Sequence, residues 1–150
     1  MIIQQLNQTL KEAMVAHDEA RVSILRMLMA ALHNKEIEKK ASGVELTDVD
    51  CVDILKKELK KRKEAASLFH AGGRTELAEK EEKEASFIET LLPPQLSHED
   101  VTHLVEKALE SFSNPTQKDF GAIMKSVATL SNGQADGALV AEVLKEKINK

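Results

Sequence analysis

His98-Glu99 followed by His103 is this chain's closest approach to a zinc-protease helix, where two histidines four residues apart share one metal. Here the second histidine comes five residues after the first. At about 100° per residue, five steps turn the second ring roughly 140° away, so the two cannot share an ion on one helix face. Cys51 is the single cysteine, which rules out a disulfide framework or a cysteine-built zinc site within one chain. Inside a helical pattern it reads as a small buried apolar residue. Gly72-Gly73-Arg74 lacks the further glycine and the Lys-Ser/Thr of a nucleotide-binding loop, and a helix C-cap explains it better. His17, His33 and His70 are scattered, without a nucleophile beside them, and read as surface or terminal residues. No self-sufficient catalytic site follows from these residues, and no metal or cofactor site.

The run Lys56, Lys57, Lys60, Lys61, Arg62 and Lys63 is more informative. On a helical wheel the lysines fall on an arc opposite the apolar face, whereas Arg62 falls within that face. Glu81 and Glu84 intrude in the same way on the apolar stripe of the next helix, about as far past the glycine turn as Arg62 lies before it. An ion pair of Arg62 with Glu81 or Glu84 is therefore predicted. It would set register more than raise stability, because desolvating the charges offsets much of their attraction. The lysine arc has two readings, a solvated face interleaved with Glu58 and Glu64, or a surface for an acidic partner or RNA backbone.

The elements that must position these residues are helical throughout. Ile3, Leu6, Leu10 and Met14 recur at helical spacing, and Asp18 offers an N-cap for a second helix bearing Ile24, Leu25, Leu28, Ala31 and Leu32, which Ser42-Gly43 ends. Thr47 with Asp50 opens a third helix that reaches Gly72-Gly73, roughly 37 Å long at about 1.5 Å per residue. Its apolar positions are Val52, Leu55, Leu59, Ala66 and Phe69; a fourth helix carrying Leu77, Ala85, Ile88, Leu91 and Leu92 completes an antiparallel hairpin.

Pro93-Pro94 cannot continue a helix, and this sets the predicted boundary between domains at 1–92 and 93–150. Beyond it Ser97 with Asp100, Thr116 with Asp119, and Asp136 cap three shorter helices. Their core faces are Val101, Leu104, Val105, Ala108 and Phe112; Phe120, Ile123, Met124 and Val127; and Leu139, Val140, Val143, Leu144 and Ile148. No segment alternates with strand period. The fold class is all-α, with N-terminal helices and a long antiparallel hairpin followed by a small three-helix C-terminal domain.

Composition supports a folded, aliphatic-cored chain: 42% hydrophobic and 31% charged residues lie far from the signature of disorder. With four Phe and no Trp or Tyr, aromatic base-stacking platforms are nearly excluded. The net charge of −4 argues against a surface that coats nucleic acid and leaves only a local basic patch. No apolar run approaches the roughly 20 residues that span a bilayer, Met1 to Gln8 has no signal-peptide shape, and the lone cysteine suits a reducing compartment. These features lead to an expectation of a cytoplasmic protein without a membrane partner.

Leu25-Arg26-Met27-Leu28 with Asn34-Lys35-Glu36-Ile37, then Lys61-Arg62-Lys63-Glu64, then Leu92-Pro93-Pro94-Gln95-Leu96 resemble the YqeY proteins over essentially the whole chain. Residues Gly121 to Ile148, centred on Gly133, Ala135, Asp136 and Gly137, also resemble the C-terminal tail of the GatB subunit of the tRNA-dependent amidotransferase. That enzyme uses glutamine-derived ammonia to convert Glu-tRNA or Asp-tRNA to the amide. The resemblance implies two helical domains and a tail that holds tRNA near its elbow while other domains do the chemistry, with no catalytic residues to carry over.

Transferred by position, the contacts implied are Asn132, Gly133, Gln134, Ala135, Asp136 and Gly137, with Lys125, Lys145 and Lys147 nearby. Relatives tend to carry Lys or Arg where this chain has Asn132 and Gln134. The loop is open to two readings, a simple capped turn or a phosphate contact at a helix N-terminus whose cap, Asp136, already fills part of that place. The function implied is an accessory, non-catalytic module associated with tRNA, a tRNA-dependent amidotransferase or an aminoacyl-tRNA synthetase complex. The rival is a protein-interaction adaptor that uses the long hairpin and has no RNA role.

Overall fold

The computed structural model describes residues 1–149, and its regular structure is all-helical, with no strand among the described residues. Helices α1 (Ile2–Val15), α2 (Glu19–Ala41), α3 (Asp48–Ala71) and α4 (Thr75–Leu91) precede the proline pair. Helices α5 (His98–Leu109), α6 (Phe120–Leu130) and α7 (Gly137–Ile148) follow it, with a 3-10 turn at Gln117–Asp119 leading into α6. The chain forms two compact units, Met1–Leu92 and Pro93–Lys150.

Local chemistry explains each boundary in the first unit. The Asp18 carboxylate accepts from Arg21 N at 3.1 Å and starts α2. A capping box at α3 has Asp50 N donating to Thr47 Oγ1 at 3.3 Å while Thr47 N donates to Asp50 Oδ2 at 2.8 Å. At the turn into α4, Gly73 takes φ +71°, a left-handed conformation that lets Arg74 N reach Phe69 O at 2.8 Å. Leu92 leaves helical geometry with ψ 146° because the ring of Pro93 crowds it.

The core of this unit is aliphatic: Leu6, Leu25, Leu28, Leu32, Val52, Leu55 and Ile88 are buried together. Burying each large side chain contributes about 1.5–3 kcal/mol before the entropy of ordering it is counted. On α3 and α4 the buried Ala66, Ala78 and Ala85 supply small side chains on which neighbouring backbone can pack closely.

Two side chains depart from the expected stripes. Leu77 is 41% exposed, and the buried position is Ala78, which shares one helical face with Ala85 and Ile88. Met14 is 48% exposed while Ala13 is buried, so the inward face of α1 has rotated by one residue near its end.

In the second unit Val101, Val105, Ala108, Ile123, Val127, Val140, Val143 and Leu144 form a separate core. Capping boxes at Ser97 with Asp100 and Thr116 with Asp119 start α5 and the 3-10 turn. Phe112, expected on the face of α5, lies beyond its end at Leu109 and packs half-buried on the core from the connecting segment.

Candidate nucleic-acid interface

The loop between α6 and α7 is shaped by one buried hydroxyl. Ser131 Oγ donates to Ala128 O at 3.2 Å and accepts from Ala135 N at 3.3 Å, so it closes the turn from inside. Asn132 and Gly133 take φ of 51° and 76°, and Gly133 N donates to Ala128 O at 3.0 Å. Gly133 and Ala135 are buried, which gives them a conformational part and leaves Asn132, Asp136 and Gly137 exposed, with Gln134 half-buried. The Asp136 carboxylate accepts from Ala138 N at 3.3 Å and occupies the start of α7, where a phosphate would otherwise be drawn. Sequence reasoning passed over Ser131; its position one residue after a helix end was the available signal.

The nearby lysines do not gather at this loop. Lys145 is exposed in the last turn of α7, about 12 Å along the axis from Gly137. Lys125 is exposed near the middle of α6. Lys147 is committed elsewhere, with its Nζ 2.6 Å from Glu106 Oε1 on α5, and that hydrogen bond and charge hold the Glu106 carboxyl below its usual range. His103 Nδ1 also faces Glu106, at 3.8 Å. Among the described residues no group of three or more His, Cys, Asp or Glu is placed to hold a metal ion.

The lysines of α3 do not form one arc. Lys57 and Lys61 line an open hollow of about 240 Å³ with Ala31, Asn34, Lys35 and Glu38 of α2 and with Ile54 and Glu58. Lys63 reaches the other way, to Glu89 Oε1 of α4 at 2.6 Å. Their long flexible stems let the ammonium groups leave the wheel position of the Cα atoms. Neutralisation is local: Lys61 lies 2.9 Å from Glu58 and Lys60 lies 3.9 Å from Glu64, while Lys56 is half-buried. Such compensated ammonium groups exert a weak field on a polyanion.

Arg62 faces α4. Its Nη1 lies 3.1 Å from Glu81 Oε2 and 2.9 Å from Glu84 Oε2, and its Nη2 donates to Met27 Sδ of α2. One guanidinium thus links its own helix to two others. The Glu84 oxygen has no aligned hydrogen bond and Arg62 Nε has no acceptor, so the attraction there is mainly Coulombic. The pairs Lys63 with Glu89 and His70 with Glu82, the latter at 2.6 Å, show α3 and α4 running in opposite senses.

The N-terminal end of α3 holds a second cluster without an RNA role in the sequence reading. Ile2 N donates to Asp48 Oδ1 at 3.1 Å, which ties the start of α1 to α3. Asp50 accepts from Lys39 Nζ, Thr47 N and Thr47 Oγ1. Burial pulls the Asp50 carboxyl upward, but the hydrogen bond from Lys39, the two from Thr47 and the Lys39 charge together outweigh it and hold it below its ordinary 3.8. Burial, with Asp48 and Asp50 nearby, pushes the Cys51 thiol up to about 11, so it stays protonated and inert.

These features define an all-helical protein of two small aliphatic-cored units, with polar groups spread over open surfaces. The chain belongs to the YqeY-like protein family, whose model matches residues 3–148. It is also similar to "Altered inheritance of mitochondria protein 41, mitochondrial" from three yeasts. Identity to the Lachancea thermotolerans protein is 31% over 118 residues, 76% of this chain and 62% of the relative. To the Vanderwaltozyma polyspora protein it is 31% over 124 residues, 81% and 64%. To a Saccharomyces cerevisiae protein it is 31% over 108 residues, 71% and 57%. The chain therefore matches less than two thirds of the length of each of these relatives.

The relatives also correct the expectation of a cytoplasmic location, since all three are named as mitochondrial proteins. The physical reason is that a buried, protonated thiol and a polar first segment carry no address; a reducing environment is not confined to one compartment. No helix among the described residues is long and apolar enough to cross a membrane.

Proposed function

We propose that this chain is an accessory, non-catalytic helical module that docks on tRNA or on a tRNA-dependent amidotransferase or aminoacylation complex through its C-terminal unit. The observation that carries this reading is the exposed polar edge at the α6–α7 loop, Asn132 and Asp136 with half-buried Gln134, on a turn made rigid by Ser131. Family membership and the resemblance of residues Gly121 to Ile148 to an amidotransferase tail lend it further support. The exposed Lys125 and Lys145 are its sources of phosphate attraction, and they are few, so binding is weak and salt-sensitive.

Titrating the purified chain with unfractionated tRNA at low and moderate salt tests this. Binding that declines steeply with salt and is weakened several-fold or more by Lys125→Glu supports it; absence of binding at any salt ends it. Hydrolysis of glutamine or amide transfer by this chain alone would show it to be an enzyme.

An adaptor that uses the helix pair α3–α4 is the second reading. It is favoured by Leu68 and Leu77, two large apolar side chains that are 73% and 41% exposed and have no part in the core. Substituting both with Ser would then abolish partner capture without affecting tRNA.

A further inference from the structure

One surface hollow in the second unit differs in its chemistry from three others among the described residues. The hollow beside α1 and α2 includes Glu19, that between α2 and α3 includes Glu38 and Glu58, and that on α3 and α4 includes Glu82 and Glu89. The hollow between the start of α6 and the end of α7 is lined by Gln117, Phe120, Lys145, Ile148 and Asn149, with no carboxylate among the described residues. Its volume is about 300 Å³, at the small end for a ligand site. Phe120 and Ile148 pack on the core yet remain half-exposed, so they give an apolar floor with one aromatic ring. Gln117 and Asn149 stand exposed on the rim, and each carboxamide offers both a donor and an acceptor. Lys145 contributes the one positive charge among the described lining residues.

We propose that this hollow seats a single unstacked nucleotide of a flexible RNA segment. The base lies on Phe120 and Ile148, its edge meets the carboxamides of Gln117 and Asn149, and its phosphate faces Lys145. A ring, a cation and paired donor-acceptor groups suit a nucleotide, and no carboxylate among the described lining residues opposes its phosphate. The inference deepens the tRNA reading above, because it adds a base-sized contact at the far end of α7 from the Asp136 loop. It also qualifies the compositional argument against stacking, since one well-placed ring suffices for one base.

The test is a nuclear magnetic resonance titration of the full chain with AMP, and separately with adenosine and inorganic phosphate. AMP is expected to shift the amides of Gln117, Phe120, Lys145 and Asn149 saturably. Phe120→Leu should weaken AMP and adenosine by at least about fivefold. Lys145→Gln, an exposed position that leaves the core untouched, should weaken AMP and leave adenosine unchanged. On tRNA, Lys145→Gln should also lower the salt slope by about one.

Silence of these amides toward AMP overturns the proposal, as does their response to a peptide with a C-terminal leucine carboxylate in place of AMP. Undiminished tRNA binding by both variants removes the seat from the RNA interface and leaves the proposed function standing. An AMP response in a chain that ignores tRNA keeps the seat and overturns the tRNA reading.

Discussion

Arg62 shows how a single charged residue can organise neighbours without contributing much net stability. Its side chain is 22% exposed, and Glu81 and Glu84 are 16% and 23% exposed, so all three are largely removed from water. Truncating the guanidinium alone strands two carboxylates against each other. Arg62→Met is therefore expected to destabilise the first unit by about 2–4 kcal/mol, slightly under the figure for fully buried pairs. Adding Glu81→Gln and Glu84→Gln should recover much of that loss, and urea unfolding of the two variants measures both effects. Recovery of nothing would show that packing on Met27, and not charge, dominates the site.

At the same scale Asp50 provides a pH signature. Its carboxyl is depressed in the folded chain, so its stabilising contribution is fully present above its ordinary 3.8 and fades as pH falls through the lower folded value. Asp50→Asn should lower the melting temperature at neutral pH, with the gap from the parent chain closing in acid below about pH 4. A gap that stays constant across the acid range would assign the effect to lost hydrogen bonds alone.

Elements in this protein are bounded by short-range chemistry, and the turn from α3 to α4 is the clearest case. Gly73 has φ +71°, and a Cβ built there meets nothing within 4 Å, so the backbone alone requires glycine. Gly73→Ala should cost about 1–2 kcal/mol from the left-handed strain, and Gly73→Asn distinctly less. Calorimetric melting of the two variants checks the order. Equal losses would mean that the turn relaxes into another geometry. The charges of the two helices reinforce the same pairing: Arg62 and Lys63 on α3 face Glu81, Glu84 and Glu89 on α4.

For the whole molecule, two separate cores imply two folding units. Residues 1–92 carry the cluster around Leu25, Leu28 and Leu55, and residues 93–150 the cluster around Val105, Ile123 and Leu144. Each half, expressed alone, is expected to show cooperative helical unfolding, the shorter one with the lower melting temperature because a small chain buries a smaller share of its surface. Circular dichroism melts decide this, and a non-cooperative trace from either half would show that its core needs the other. The net charge of −4 bears at this scale too: it opposes RNA over the surface as a whole and leaves any binding to exposed lysines such as Lys125 and Lys145.

The sequence alone determined the all-helical class, the family and the helix starts, because periodicity and caps such as Thr47 with Asp50 act within a few residues of chain. It also marked Arg62, Glu81 and Glu84 as charges inside apolar stripes, a property of helical phase. Tertiary structure decided what phase leaves open. Ala78 faces inward in place of Leu77, since neighbouring side chains on a helix point about 100° apart and packing against α3 decides which of the two is inside. The lysines of α3 divide between two neighbours, since a long stem chooses its partner from what packs beside it. Gln117, Phe120, Lys145 and Asn149 come together around a hollow only because α6 and α7 fold onto a common core, and residues that far apart in the chain share no local signal.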